Sequence, residues 1–143
     1  MRKIVLCLLI LFVVTGCQSK DEYFTKTCTN KVKTDNLIVF EEKTITYNNK
    51  DEVINEVIVR TYTDKSDKNS INAIKKAAVD YNNELAGSDA IEIRILNDSD
   101  DEYKFEYNID VQNLNSLELE MFNIEKNSIK YFKKLKKDGI ECK

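Results

Sequence analysis

Apolar and polar positions along this chain fall into a few distinct rhythms. An unbroken apolar run, Ile4 to Val14, follows Arg2 and Lys3, and no later apolar run approaches its length. From Thr25 to Val32 the residues read as a first strand, and Lys33-Thr34-Asp35-Asn36 reads as a turn. Leu37 to Tyr47 is rich in β-branched and aromatic residues and predicts a second strand. Its alternation breaks at Glu41-Glu42-Lys43, where a bulge is expected. After the turn residues Asn48-Asn49-Lys50-Asp51, Glu52 to Thr63 predicts a third strand. Its apolar residues occupy both phases, Val53, Val57 and Val59 against Ile54, Ile58 and Tyr62, so cover on both faces is expected.

From Asp64 the period lengthens. Ile71, Ile74, Ala78, Tyr81 and Leu85 stand at steps of three and four, with Asp67 or Ser70 as N-cap and Gly87 just past the end. This predicts an amphipathic helix packed on its own sheet. Ala90 to Leu96 predicts the next strand and Asn97-Asp98-Ser99-Asp100-Asp101 a turn. Tyr103, Phe105, Tyr107 and Ile109 then alternate with Lys104, Glu106, Asn108 and Asp110, the pattern of a half-buried strand. Leu114 to Ile124 fits either a short helix or an irregular connection. Asn127 or Ser128 caps a last helix in which Ile129, Phe132 and Leu135 are expected to face inward, ending at Gly139 so that Ile140 and Cys142 dock. The order strands, helix, strands, helix implies an α+β fold: an antiparallel sheet of about five strands with two main helices on one face.

The apolar run has the charge order of a secretory signal and is too short to cross a bilayer, which takes about 20 residues. It ends in Leu11-Phe12-Val13-Val14-Thr15-Gly16-Cys17, which resembles the recognition site of bacterial prolipoproteins. The resemblance implies diacylglycerol on the Cys17 thiol and cleavage just before it. Two acyl chains hold stably because each buried CH₂ adds roughly 0.8 kcal/mol. The chain thus divides into a signal, residues 1–16; the lipidated cysteine with a short tether, 17–25; and a single domain, 26–143.

Removing residues 1–16 from 143 leaves 127, enough for one domain with a real core. Arg2 and Lys3 leave with the signal, so 20 of the 22 basic side chains remain against 25 acidic ones, net −5. That balance argues against a nucleic-acid partner, which calls for a basic footprint. Cys7 leaves with the signal and Cys17 takes lipid, so Cys28 and Cys142 remain and are expected to pair as a disulfide bracketing the domain.

Candidate chemistry is sparse. With no His, the Ser-His and Cys-His nucleophilic sites are excluded, and three glycines cannot build a phosphate loop. Glu41-Glu42 and Glu118-x-Glu120 are read as solvated carboxylates rather than an acid–base pair. Asp98, Asp100, Asp101 and Glu102 open like an EF-hand loop. However, Tyr103 stands where that loop needs Gly and Ile109 where it needs Glu, so a charged turn is expected and no metal. No cofactor is expected either. Lys130, Lys133, Lys134, Lys136 and Lys137 on the last helix suit its negative C-terminal dipole, with contact to anionic headgroups as the functional alternative.

A lipobox, Lys26-Thr27-Cys28-Thr29 soon after it, and a Lys-rich final helix ending in Lys136-Lys137-Asp138-Gly139-Ile140 resemble the YehR-like bacterial lipoproteins. The resemblance implies a small α+β domain and supplies no catalytic residue. The expected protein is therefore not an enzyme. It is a non-catalytic domain anchored through Cys17 to membrane lipid on the extracytoplasmic side, binding a protein or envelope component. An accessory subunit or inhibitor of a membrane enzyme or transporter is the alternative, and a His-independent hydrolase comes last.

Overall fold

The computed structural model describes residues 20–64, 68–85 and 87–143. Cys17 and the cap candidate Asp67 lie outside them. Among the described residues six strands form one antiparallel sheet: β1 (Tyr23–Lys33), β2 (Leu37–Asn48), β3 (Val53–Asp64), β4 (Ile91–Asp98), β5 (Glu102–Asp110) and β6 (Glu141–Cys142). Their order across the sheet is β4-β5-β3-β2-β1-β6. The helices are α1 (Lys68–Leu85), the short α2 (Ser116–Met121) and α3 (Ser128–Lys137). β1 opens at Tyr23, so the last three residues of the expected tether belong to the sheet.

One face of the sheet carries the core. Tyr103, Phe105, Tyr107 and Ile109 of β5 are buried, as their alternation predicts, and burial of a side chain such as Phe105 or Ile109 stabilises the fold by about 1.5–3 kcal/mol relative to an exposed one. Ile71, Ala78 and Leu85 of α1 are buried against this face, with Ile74 and Tyr81 partly so. α1 begins at Lys68, which places Ser70 inside the helix rather than at its cap.

Strand β3 departs from its expected cover. Val57 and Val59 lie opposite Asn108 and Glu106 on the uncovered face and are only half-buried. The register of β2 against β3 shifts between Thr46 and Tyr47, so Val53 pairs with Tyr47 and Asn55 with Thr46. Ile54 is the extra residue, and it brings Val53 into the same buried phase as Glu56 and Ile58. The bulge thus accounts for Val53, while Val57 and Val59 keep the phase of the uncovered face.

The expected bulge at Glu41-Glu42-Lys43 is absent, because these residues pair in regular register with Arg60, Val59 and Ile58. Their alternation breaks because two charged side chains point into the core.

Helix α3 also differs from its sequence pattern. Tyr131 and Leu135 are buried with Ser128, whereas Ile129 is 62% exposed. Asn127 caps the helix by accepting the Lys130 amide at 3.1 Å, which fixes the rotation of the first turn and turns position 129 outward. At the far end Gly139 adopts φ +78°, Gly139 N–H donates to the Lys136 carbonyl and Ile140 N–H to Leu135. This Schellman turn reverses the chain so that β6 pairs with β1 and Cys142 meets Cys28. The disulfide is formed, with S–S 2.05 Å.

Candidate functional site

The alternation of β2 and β3 places Glu41, Lys43, Glu56 and Arg60 on the core face, where register sets Glu41 beside Arg60 and Lys43 beside Ile58. Helix α3 drops Tyr131 onto them. Its hydroxyl donates to both Glu56 oxygens, at 2.9 and 2.8 Å, and Lys43 Nζ donates to Glu56 Oε1 at 2.9 Å. Lys43 Nζ also lies 3.8 Å from Glu41 Oε1, and Arg60 Nε donates to Glu41 Oε2. The side chains therefore form one alternating chain: Tyr131, Glu56, Lys43, Glu41, Arg60. Glu56 is fully buried and Lys43 nearly so.

Electrostatics follow from this burial. Desolvation pushes the Glu56 carboxyl above its ordinary value, although Lys43 and Tyr131 favour its charged form. Desolvation raises the Tyr131 phenol far above its usual range, and the Glu56 carboxylate adds to the rise. The folded protein therefore holds the Tyr131 proton more tightly than the unfolded chain does. The stability this supplies is complete below the ordinary phenol value near 10 and is lost as the pH climbs past it. Urea midpoints measured at about pH 8 and pH 11 should fall further for the native protein than for Tyr131→Phe.

Beside this network the sheet and α1 enclose a cleft of about 320 Å³. Its floor is Arg60, Tyr62, Phe105 and Tyr107, and α1 supplies Ile74, Ala77 and Tyr81. The Arg60 guanidinium lies 6.0 Å from the Tyr107 ring centroid, and the Tyr107 hydroxyl donates to Asn82 Oδ1 at 3.2 Å. Burial opposes the Arg60 charge, but Glu41 outweighs it and holds the guanidinium above its ordinary value. The cleft can take an apolar or aromatic group against rings, with one cation at its base, and its volume falls at the lower end of ligand pockets.

Glu41, expected in solvent, is thus engaged by Arg60 and Lys43, while Glu42 points to the opposite face. Glu118 accepts the Asn115 amide at 2.8 Å in a capping box, and the exposed Glu120 lies two residues on in the same helix. Asp98 ends β4, Asp100 and Asp101 lie in the turn and Glu102 opens β5; Lys75 pairs with Asp98 and Ser99 donates to Asp101 at 2.8 Å. Among the described residues no group of three or more His, Cys, Asp or Glu is placed to hold a metal ion. Lys130, Lys133, Lys136 and Lys137 are exposed, and Lys134 lies 3.5 Å from Glu125. Lys43, Glu56, Arg60 and Tyr131 were not singled out from sequence; the available signal was that Glu56 and Arg60 share the phase of Ile58 and Tyr62.

Residues 1–18 match a prokaryotic membrane lipoprotein lipid attachment site, which supports a bacterial lipoprotein held to a membrane by lipid. No curated protein matches the chain. An NMR structure of a protein from Streptococcus pneumoniae TIGR4 is similar in fold, with a TM-score of 0.57 over 87% of each chain at 16% identity.

Proposed function

We propose that this lipoprotein is a non-catalytic binding domain on the extracytoplasmic side of the cell membrane, and that the cleft under α1 is its ligand site. The observation that carries this reading is the aromatic floor of that cleft, built around Arg60 and open beside α1. Hydrolysis by paired carboxylates fits poorly. Glu56 is covered on every side, and Glu41 is occupied by Arg60 and Lys43, so neither meets a substrate. The fold and the attachment site are compatible with the YehR-like resemblance. An accessory-subunit role is the second reading, favoured by a lipid attachment site that would hold the domain at the membrane surface.

Mild crosslinking and capture from intact cells, comparing native protein with Cys17→Ser, tests the role of the anchor. A partner recovered in fixed proportion with the native form alone is the expected result. Equal recovery by both forms would show that anchoring does not present the domain.

A further inference from the structure

We propose that the domain edge built from the start of β1, the flank of α3 and β6 rests on an anionic lipid surface and sets how the domain stands on its anchor. Cys17 precedes Tyr23, the first residue of β1, by six positions, and six extended residues span at most about 20 Å. The lower part of β1 is therefore the region of the sheet tied closest to the bilayer.

The chemistry of that edge differs from the rest of the molecule. The mature chain is net acidic, yet Lys26, Lys136 and Lys143 line this edge around an apolar strip together with Glu141, while Asp21 and Glu22 precede β1 and Asp21 is paired with Lys50. Phe24 is 44% exposed and Ile129 is 62% exposed. The Phe24 ring lies 5.6 Å from Tyr47, which lies 5.3 Å from Phe132, and Lys26 Nζ sits 4.7 Å over the Phe132 ring. On α3, Ile129, Phe132, Lys133 and Lys136 recur at steps of three and four, so they share the flank beside the buried stripe. Aromatic and aliphatic side chains ringed by lysines match the boundary between acyl chains and anionic headgroups. Lys134, paired with Glu125, lies off this flank.

This inference does not depend on the cleft. It implies that β4, at the far edge of the sheet, stands away from lipid.

The native chain has no Trp, so single tryptophans report position without background. Lipidated Ile129→Trp, Phe24→Trp and Ile95→Trp proteins, reconstituted in phosphatidylcholine–phosphatidylglycerol vesicles with brominated acyl chains, share one anchor and differ only in the probed edge. All three positions are substantially exposed. Quenching is expected to be about three-fold or more stronger for Ile129→Trp and Phe24→Trp than for Ile95→Trp. Adding Lys26→Gln, Lys133→Gln and Lys136→Gln to the Ile129→Trp form should bring its quenching down to the Ile95→Trp level. Equal quenching at all three positions, or no change on removing the lysines, would overturn the proposal.

Discussion

The Lys43→Met variant will unfold about 3–5 kcal/mol more easily than the native protein, because it leaves the fully buried Glu56 carboxyl without its cation. The cost is that of an unpaired buried charge rather than the net worth of the ion pair. A form carrying Lys43→Met, Glu56→Leu and Tyr131→Phe together removes Glu56 with both of its partners and leaves Glu41 paired with Arg60, and it should recover most of the loss. Urea denaturation of the single and triple variants measures both. A Lys43→Met protein within about 1 kcal/mol of native would mean that Glu56 is protonated and carries no charge there.

Reducing the disulfide, or replacing Cys142 by Ser, will have an effect of similar size. Cys28 and Cys142 are 114 positions apart, and closing so long a loop restricts the unfolded chain by roughly 4–5 kcal/mol on the chain-entropy model. For a domain of this size the melting temperature should drop by roughly 15 °C. Calorimetry with and without reductant tests it, and a shift of a few degrees would show that the unfolded state is constrained by something else. Cys28 is fully buried, so the clean substitution is at Cys142, which is only partly buried on the two-residue strand β6.

These two predictions come from different levels of the sequence. The pairing of Cys28 with Cys142 was legible because only two cysteines remain once Cys7 and Cys17 are assigned, and an exported domain keeps its disulfides. The five longer strands and the stripe of α1 were equally legible, since alternation and the step of three and four are written directly in residue type. The charged chain behind the first prediction was not. A charged residue on a strand is read as facing solvent, and Glu41 and Lys43 appeared as a break in the pattern when they were its inward phase. Their partners come from further along the chain, Arg60 for Glu41 and Glu56 for Lys43, both on β3, with Tyr131 of α3 closing over Glu56, and such pairing depends on tertiary packing that no local period records. The outward turn of Ile129 was hidden for a related reason. The Asn127 cap and the fit of Tyr131 over Glu56 set the helix rotation, and they override the preference of one isoleucine.

The lipid attachment site was the most readable feature of all, because an enzyme that modifies cysteine must recognise its substrate from a short linear stretch. A ligand site on the folded domain would carry no such linear signature. The cleft joins residues of β3, β5 and α1, and its aromatic floor looks in sequence like ordinary core.

The most direct measurement on the binding claim places a photoreactive amino acid at Ala77, at the α1 side of the cleft, in the lipidated protein in intact cells. One crosslinked species in fixed ratio to the protein, lost when Tyr81→Trp narrows the cleft, is the result expected of a binding domain. Crosslinks that are absent, or that persist unchanged with the cleft narrowed, would contradict it.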